Sequence, residues 1–90
     1  MDDRTVGTAQ AKLMRAALLF EGVTISDLWW AYFLDGGEVQ ELEIDAFLHQ
    51  SLHLPSSCRD HLARTVNVLI PEARIPYSRY FGPVNDAAEN

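Results

Sequence analysis

Thr24-Ile25-Ser26-Asp27-Leu28-Trp29-Trp30-Ala31-Tyr32-Phe33-Leu34-Asp35-Gly36-Gly37 is the stretch whose reading decides the fold. Its apolar centre, Leu28 to Leu34, is short enough for a buried strand and continuous enough for a helix with no polar side. Two signals favour the helix. Thr24 with Asp27 three residues on has the form of a capping box, with Asp in the place usually taken by Glu, and Ile25, Leu28, Trp29 and Tyr32 share one helical stripe. Asp35-Gly36-Gly37 then supplies a stop. This choice leaves Trp30 and Leu34 on the opposite side, and a helix apolar all round must be covered there too, by the rest of the domain or by another chain.

Working outward, the remaining segments between Gly and Pro signals also read as helices. Thr8 is a candidate cap for a first helix from about Gln10 to Phe20, where Leu13, Met14, Ala17 and Leu18 recur at helical spacing and Gly22 marks the end. A third helix over about Glu38 to Leu52 opens with Glu38 and Glu41, which suit the positive end of a helix dipole. Its apolar residues fall into two arcs, Val39, Leu42 and Ala46 against Ile44, Phe47, Leu48 and Leu52, as expected of a helix sandwiched between neighbours. Leu54-Pro55 breaks the chain. Ser57 with Asp60 resembles a second cap, and Cys58, Leu62, Val66 and Leu69 form an amphipathic stripe from which Arg59, Arg64 and Asn67 point away. Pro71 ends this fourth helix.

Pro76 and Pro83 forbid a further long helix, so the aromatic segment Ile75 to Phe81 is expected to lie extended across a helix groove. The sequence thus predicts an all-α fold, a small bundle of four main helices with an extended aromatic C-terminal tail packed on it. Residues 1–82 form one helical domain, and 83–90, polar and terminal, are expected to be disordered.

At 90 residues the chain has room for one core and no disulfide to reinforce it, because Cys58 is the only cysteine. A lone cysteine, with no signal-peptide pattern and no apolar run long enough for a bilayer, leads us to expect a cytoplasmic protein with no membrane contact, and Cys58 reads as a small apolar filler. Seven Lys and Arg against 13 Asp and Glu give a net charge of −6, which argues against nucleic acid as a partner, since affinity for phosphate backbones comes from Lys and Arg. The charge is unevenly placed. Residues 35–54 carry acids and no Lys or Arg, whereas Arg59, Arg64, Arg74 and Arg79 all follow.

Asp45, His49 and His53 recur every four residues and, on a helical ridge, would offer oxygen and nitrogen ligands to a divalent ion. The ridge lacks the HExxH order and runs into the Leu54-Pro55 break, so neither a metal nor any other cofactor is expected. No motif gathers a nucleophile, a base and an orienting acid, and Gly36-Gly37 lacks the flanks of a phosphate loop; enzymatic activity is not expected. Thr24 to His49 has the outline of a helix-turn-helix, but its second helix would present Glu38, Glu41, Glu43 and Asp45 to phosphates.

The functional expectation is a small non-enzymatic protein-binding or regulatory module that self-associates as a homodimer. Trp30 and Leu34 are the contact residues on the uncovered side of the second helix, Glu41 and Glu43 would engage a basic partner surface, and Tyr77 and Tyr80 are the tail's contact residues. The alternative is a transcriptional regulator with a helix-turn-helix-like unit that touches DNA through Arg59, Arg64, Arg74 and Arg79.

Overall fold

The structure, a computed structural model described here over residues 2–80, is all-helical, and no strand occurs among the described residues. Helices α1 (Asp3–Glu21), α2 (Ile25–Leu34), α3 (Glu41–Leu48) and α4 (Ser56–Leu69) form the bundle, followed by two 3₁₀ turns, Pro71–Ala73 and Ser78–Tyr80. The expected disordered stretch 83–90 lies outside the described residues. No helix among them is long and apolar enough to cross a membrane.

The caps explain where each helix begins and why two boundaries differ from expectation. Thr24 and Asp27 form the reciprocal box: Thr24 Oγ1 accepts from the Asp27 N–H at 3.0 Å and Asp27 Oδ2 from the Thr24 N–H at 3.3 Å. Gly22, with φ +71, closes α1 in the left-handed conformation that glycine adopts without strain. The N-cap of α1, however, is Asp2, whose carboxylate accepts from the Thr5 N–H at 2.7 Å, so the helix starts well before Gln10 and Thr8 lies inside it. Helix α3 is shorter than expected. It opens at Gln40, whose N–H donates to Glu43 Oε1 at 3.0 Å, and ends before Gln50, which takes φ 62.

The core gathers Met14 and Leu18 from α1, Leu28 and Tyr32 from α2, Ile44, Phe47 and Leu48 from α3, and Leu62, Ala63 and Val66 from α4, all buried. Of the two expected apolar arcs of α3, Ile44, Phe47 and Leu48 are buried, whereas in the other Leu42 is 77% exposed and Val39, which packs against the core, precedes the helix, so α3 is not sandwiched. The tail docks as expected but winds through its two 3₁₀ turns. Ile75 is buried, and Asn67 holds its backbone at both ends, accepting from the Ile75 N–H at 2.7 Å and donating to the Ile75 carbonyl at 3.0 Å.

Asp60 does not cap α4 through Ser57; α4 follows Pro55 with no side-chain cap. Its carboxylate accepts from the Ser78 N–H and Oγ, both at 2.7 Å, and from Gln10 Nε2 at 3.0 Å, fastening the tail to α4 and α1. Asp60 is the fifth residue of α4, past the positions whose side chains reach the helix's first N–H groups, and is free to take donors from the tail. Here the tail brings two.

Candidate interaction surface

Helix α2 turns Leu28 and Tyr32 into the core, and the helical repeat then carries Trp30, Phe33 and Leu34 to the outside. Trp30 is 54% exposed and Leu34 67%. The aromatic rings brace one another: Trp29 and Phe33 stack with centroids 5.3 Å apart and planes 23° from parallel, and Trp30 lies 5.8 Å from both. Beside this ridge Ala31 and Leu34 of α2 face Thr65, Val68 and Leu69 of α4 across a groove of about 310 Å³, with Asp35 and Arg64 at its rim. Val68 and Leu69 are exposed as well, so Leu34 joins the apolar surfaces of two helices into one face.

The rim is an ion-pair cluster. Asp35 Oδ2 accepts from Arg64 Nη2 at 2.7 Å and pairs with His61 Nε2 at 2.9 Å, and the Arg64 hydrogen bond, with that of His61, holds the Asp35 carboxyl below the usual carboxylate range. His61 also lies 4.7 Å from the Tyr32 ring. Tyr32 Oη in turn accepts from the Val39 N–H at 3.2 Å and contacts Cys58 Sγ at 3.6 Å. Burial pushes the Cys58 thiol up, away from the reactive thiolate, in keeping with a packing role. The ring of Tyr32 also dictates the loop that follows, because a Cβ on Gly37 would fall 2.3 Å from it.

Glu41 and Glu43 are exposed on α3, where Glu43 also serves the Gln40 cap. Tyr77 is half-buried and Tyr80 exposed, and their rings stack with centroids 6.3 Å apart. The structure brings Trp30 and Leu34 together on one face and leaves Glu41, Glu43, Tyr77 and Tyr80 on others.

The histidine ridge does not persist. His49 closes on Asp45, with Nδ1 2.9 Å from both a carboxylate oxygen and the backbone carbonyl, while the left-handed turn at Gln50 sends His53 to Asp3, 3.0 Å away. No group of three His, Cys, Asp or Glu placed to hold a metal ion occurs among the described residues.

Arg59, which the apolar stripe of α4 leads one to expect on the surface, is instead enclosed. Arg59 is 0% exposed. Its Nε donates to Gln10 Oε1 at 2.7 Å, Nη1 to the Leu54 carbonyl at 2.6 Å, and Nη1 and Nη2 to the two oxygens of Asp3 at 3.2 and 2.6 Å. Those bonds, chiefly Arg59's and then His53's, depress the Asp3 pKa against the opposing effect of desolvation. Gly7 makes room for the arrangement, since a Cβ there would meet the His53 ring at 3.1 Å and Arg59 Cδ at 3.2 Å. A guanidinium so enclosed cannot reach DNA, which removes Arg59 from the four arginines considered for that role. The signal was present in the spacing: Arg59 precedes Leu62, Ala63 and Val66 by three, four and seven residues, on the same face as they are.

No known family model matches the chain, and comparison with characterised proteins and with solved structures gives no match.

Proposed function

We propose that the chain is a non-enzymatic protein-binding or regulatory module that acts as a homodimer, joined through the α2–α4 face. The observation that supports this reading is the continuity of exposed Trp30, Phe33 and Leu34 with Val68 and Leu69 around the groove. Ridge and groove lie side by side on one face, the arrangement a two-fold interface requires, in which each copy offers the same patch to the other. Trp30 of one copy enters the groove of the second, and the Asp35–Arg64 pairs flank the apolar centre as a polar rim. Two tryptophan-led ridges exchanged in this way give the buried aromatic anchors that carry most binding energy in such interfaces. The acidic edge at Glu41 and Glu43 then stays open to a basic partner surface.

Sedimentation at micromolar concentration tests the reading. Twice the monomer mass is expected for the unaltered chain and a monomer for Trp30→Glu; a monomer for both removes it.

A further inference from the structure

Beside the apolar groove, and sharing Arg64 with its rim, α4 carries a second stripe: Ser57, His61 and Arg64, spaced by four and three residues, face Tyr77 and Arg79 of the tail across an open cleft of about 450 Å³. We infer that this cleft binds a small organic phosphate that carries an aromatic ring, with Arg64 and Arg79 on the phosphate and the ring against Tyr77. In a chain of net charge −6, and with Arg59 enclosed, the cleft gathers two of the remaining arginines and a histidine. Asp60, in its wall, is already engaged by three donors, the Ser78 N–H and hydroxyl and the Gln10 amide, while Asp35, just outside the wall, pairs with both Arg64 and His61 and leaves Arg79 as the cleft's cation without a carboxylate partner among the described residues. Arg64 spends only Nη2 on Asp35 and keeps the rest of its planar fork, a geometry matched to two phosphate oxygens.

One wall of the cleft is the ring of Tyr77. The Arg79 guanidinium lies 6.0 Å from the Tyr77 centroid and 5.0 Å from that of Tyr80, and the two rings stack 29° from parallel. A ligand ring placed on Tyr77 therefore adds to an existing stack of rings and cation. The negative charge of the whole chain favours a compact anion over an extended nucleic acid, because long-range repulsion grows with the number of phosphates brought near. The cleft shares Arg64 with the rim of the dimer groove, but its other lining residues, Ser57, Asp60, His61, Tyr77 and Arg79, lie outside that groove.

Phenyl phosphate, inorganic phosphate and phenol, titrated separately into the isotope-labelled full chain and followed by amide shifts in NMR, test it. Phenyl phosphate is expected to shift residues 57–64 and 77–80 at lower concentration than either of the other two, and Arg79→Gln to weaken it roughly tenfold. Arg79 is exposed in the tail, so that variant keeps the fold, and an unchanged spectrum away from the cleft verifies this. Absence of localised shifts overturns the assignment, as does inorganic phosphate binding as well as phenyl phosphate, or an Arg79→Gln variant that binds like the unaltered chain. A short DNA duplex that shifts the same residues at lower concentration overturns it in favour of nucleic acid.

Discussion

Arg59 and Asp3, 56 residues apart in sequence, meet in a two-point salt bridge in which Nη2 donates to Oδ1 at 2.6 Å and Nη1 to Oδ2 at 3.2 Å. The pair is asymmetric: the guanidinium is wholly enclosed and the carboxylate is more than half exposed. Removing the acid therefore strands a buried cation, whereas removing the arginine empties a core position and leaves Gln10 and the Leu54 carbonyl without their donor. Arg59→Ala is expected to cost about 3 kcal/mol, read as a lower urea midpoint. Asp3→Asn should cost less, because Arg59 keeps its bonds to Gln10 and Leu54.

The same pair sets part of the acid response. Asp3 has a folded-state pKa below its ordinary 3.8, so its contribution to stability is complete above that value and is lost as the pH falls through the depressed one. Asp35, lowered by Arg64 and His61, adds a contribution of the same sign. Stability measured from neutral pH downward should fall below about pH 4, and Asp3→Asn should make that fall shallower while lowering the neutral plateau. An identical acid limb in the variant would show that Asp3 is not among its causes.

The α2–α3 loop gives a steric prediction. Gly37→Ala would set a methyl group 2.3 Å from the Tyr32 ring, which is pinned by the Val39 N–H and packed on His61. A cost of about 2 kcal/mol in thermal or urea unfolding is expected, the range of overpacked cores. Gly36→Ala meets no atom but needs φ +91, and it should cost about 1 kcal/mol through backbone strain alone. In a Tyr32→Leu background the Gly37→Ala penalty should shrink and the Gly36→Ala penalty should not.

If the α2–α4 face joins two copies, substitutions on it should change mass and leave the fold alone. Leu34→Asp should match Trp30→Glu in giving a monomer, with helical content by circular dichroism unchanged, because both side chains are exposed. Phe20→Glu, at a still more exposed apolar site on α1 outside the groove, should leave the dimer intact. A dimer insensitive to all three would place the contact elsewhere.

The parts of this fold legible in sequence are those governed by neighbouring residues. The Thr24–Asp27 box and the Gly22 end of α1 depend on a few backbone groups beside them, and both stand where their residue types put them. The two-sided character of α2 was equally readable, since seven consecutive apolar residues cannot share one side of a helix. What escaped depends on distant partners. Asp60 looked like a cap because Ser78 and Gln10 are remote in sequence, and Arg59 looked like a surface residue because a charge on a helix is normally solvated. The start of α1 was missed because Gln10, polar yet buried beside Met14, breaks the apolar rhythm that would have carried the helix back to Val6. The histidine ridge failed on the left-handed backbone of Gln50, a conformation that its residue type does not announce.

The clamp that Asp3, Gln10, Arg59 and Asp60 make between α1 and α4 also fixes an order of events when the protein is made. Helix α1 is made before α4, yet its polar anchors lie some fifty residues downstream, on α4. Contacts within the α2–α3–α4 segment close shorter loops and lose less chain entropy on forming. α1 is thus made before the helix it is clamped to, and Asp3 and Gln10 can meet Arg59 only once α4 has followed.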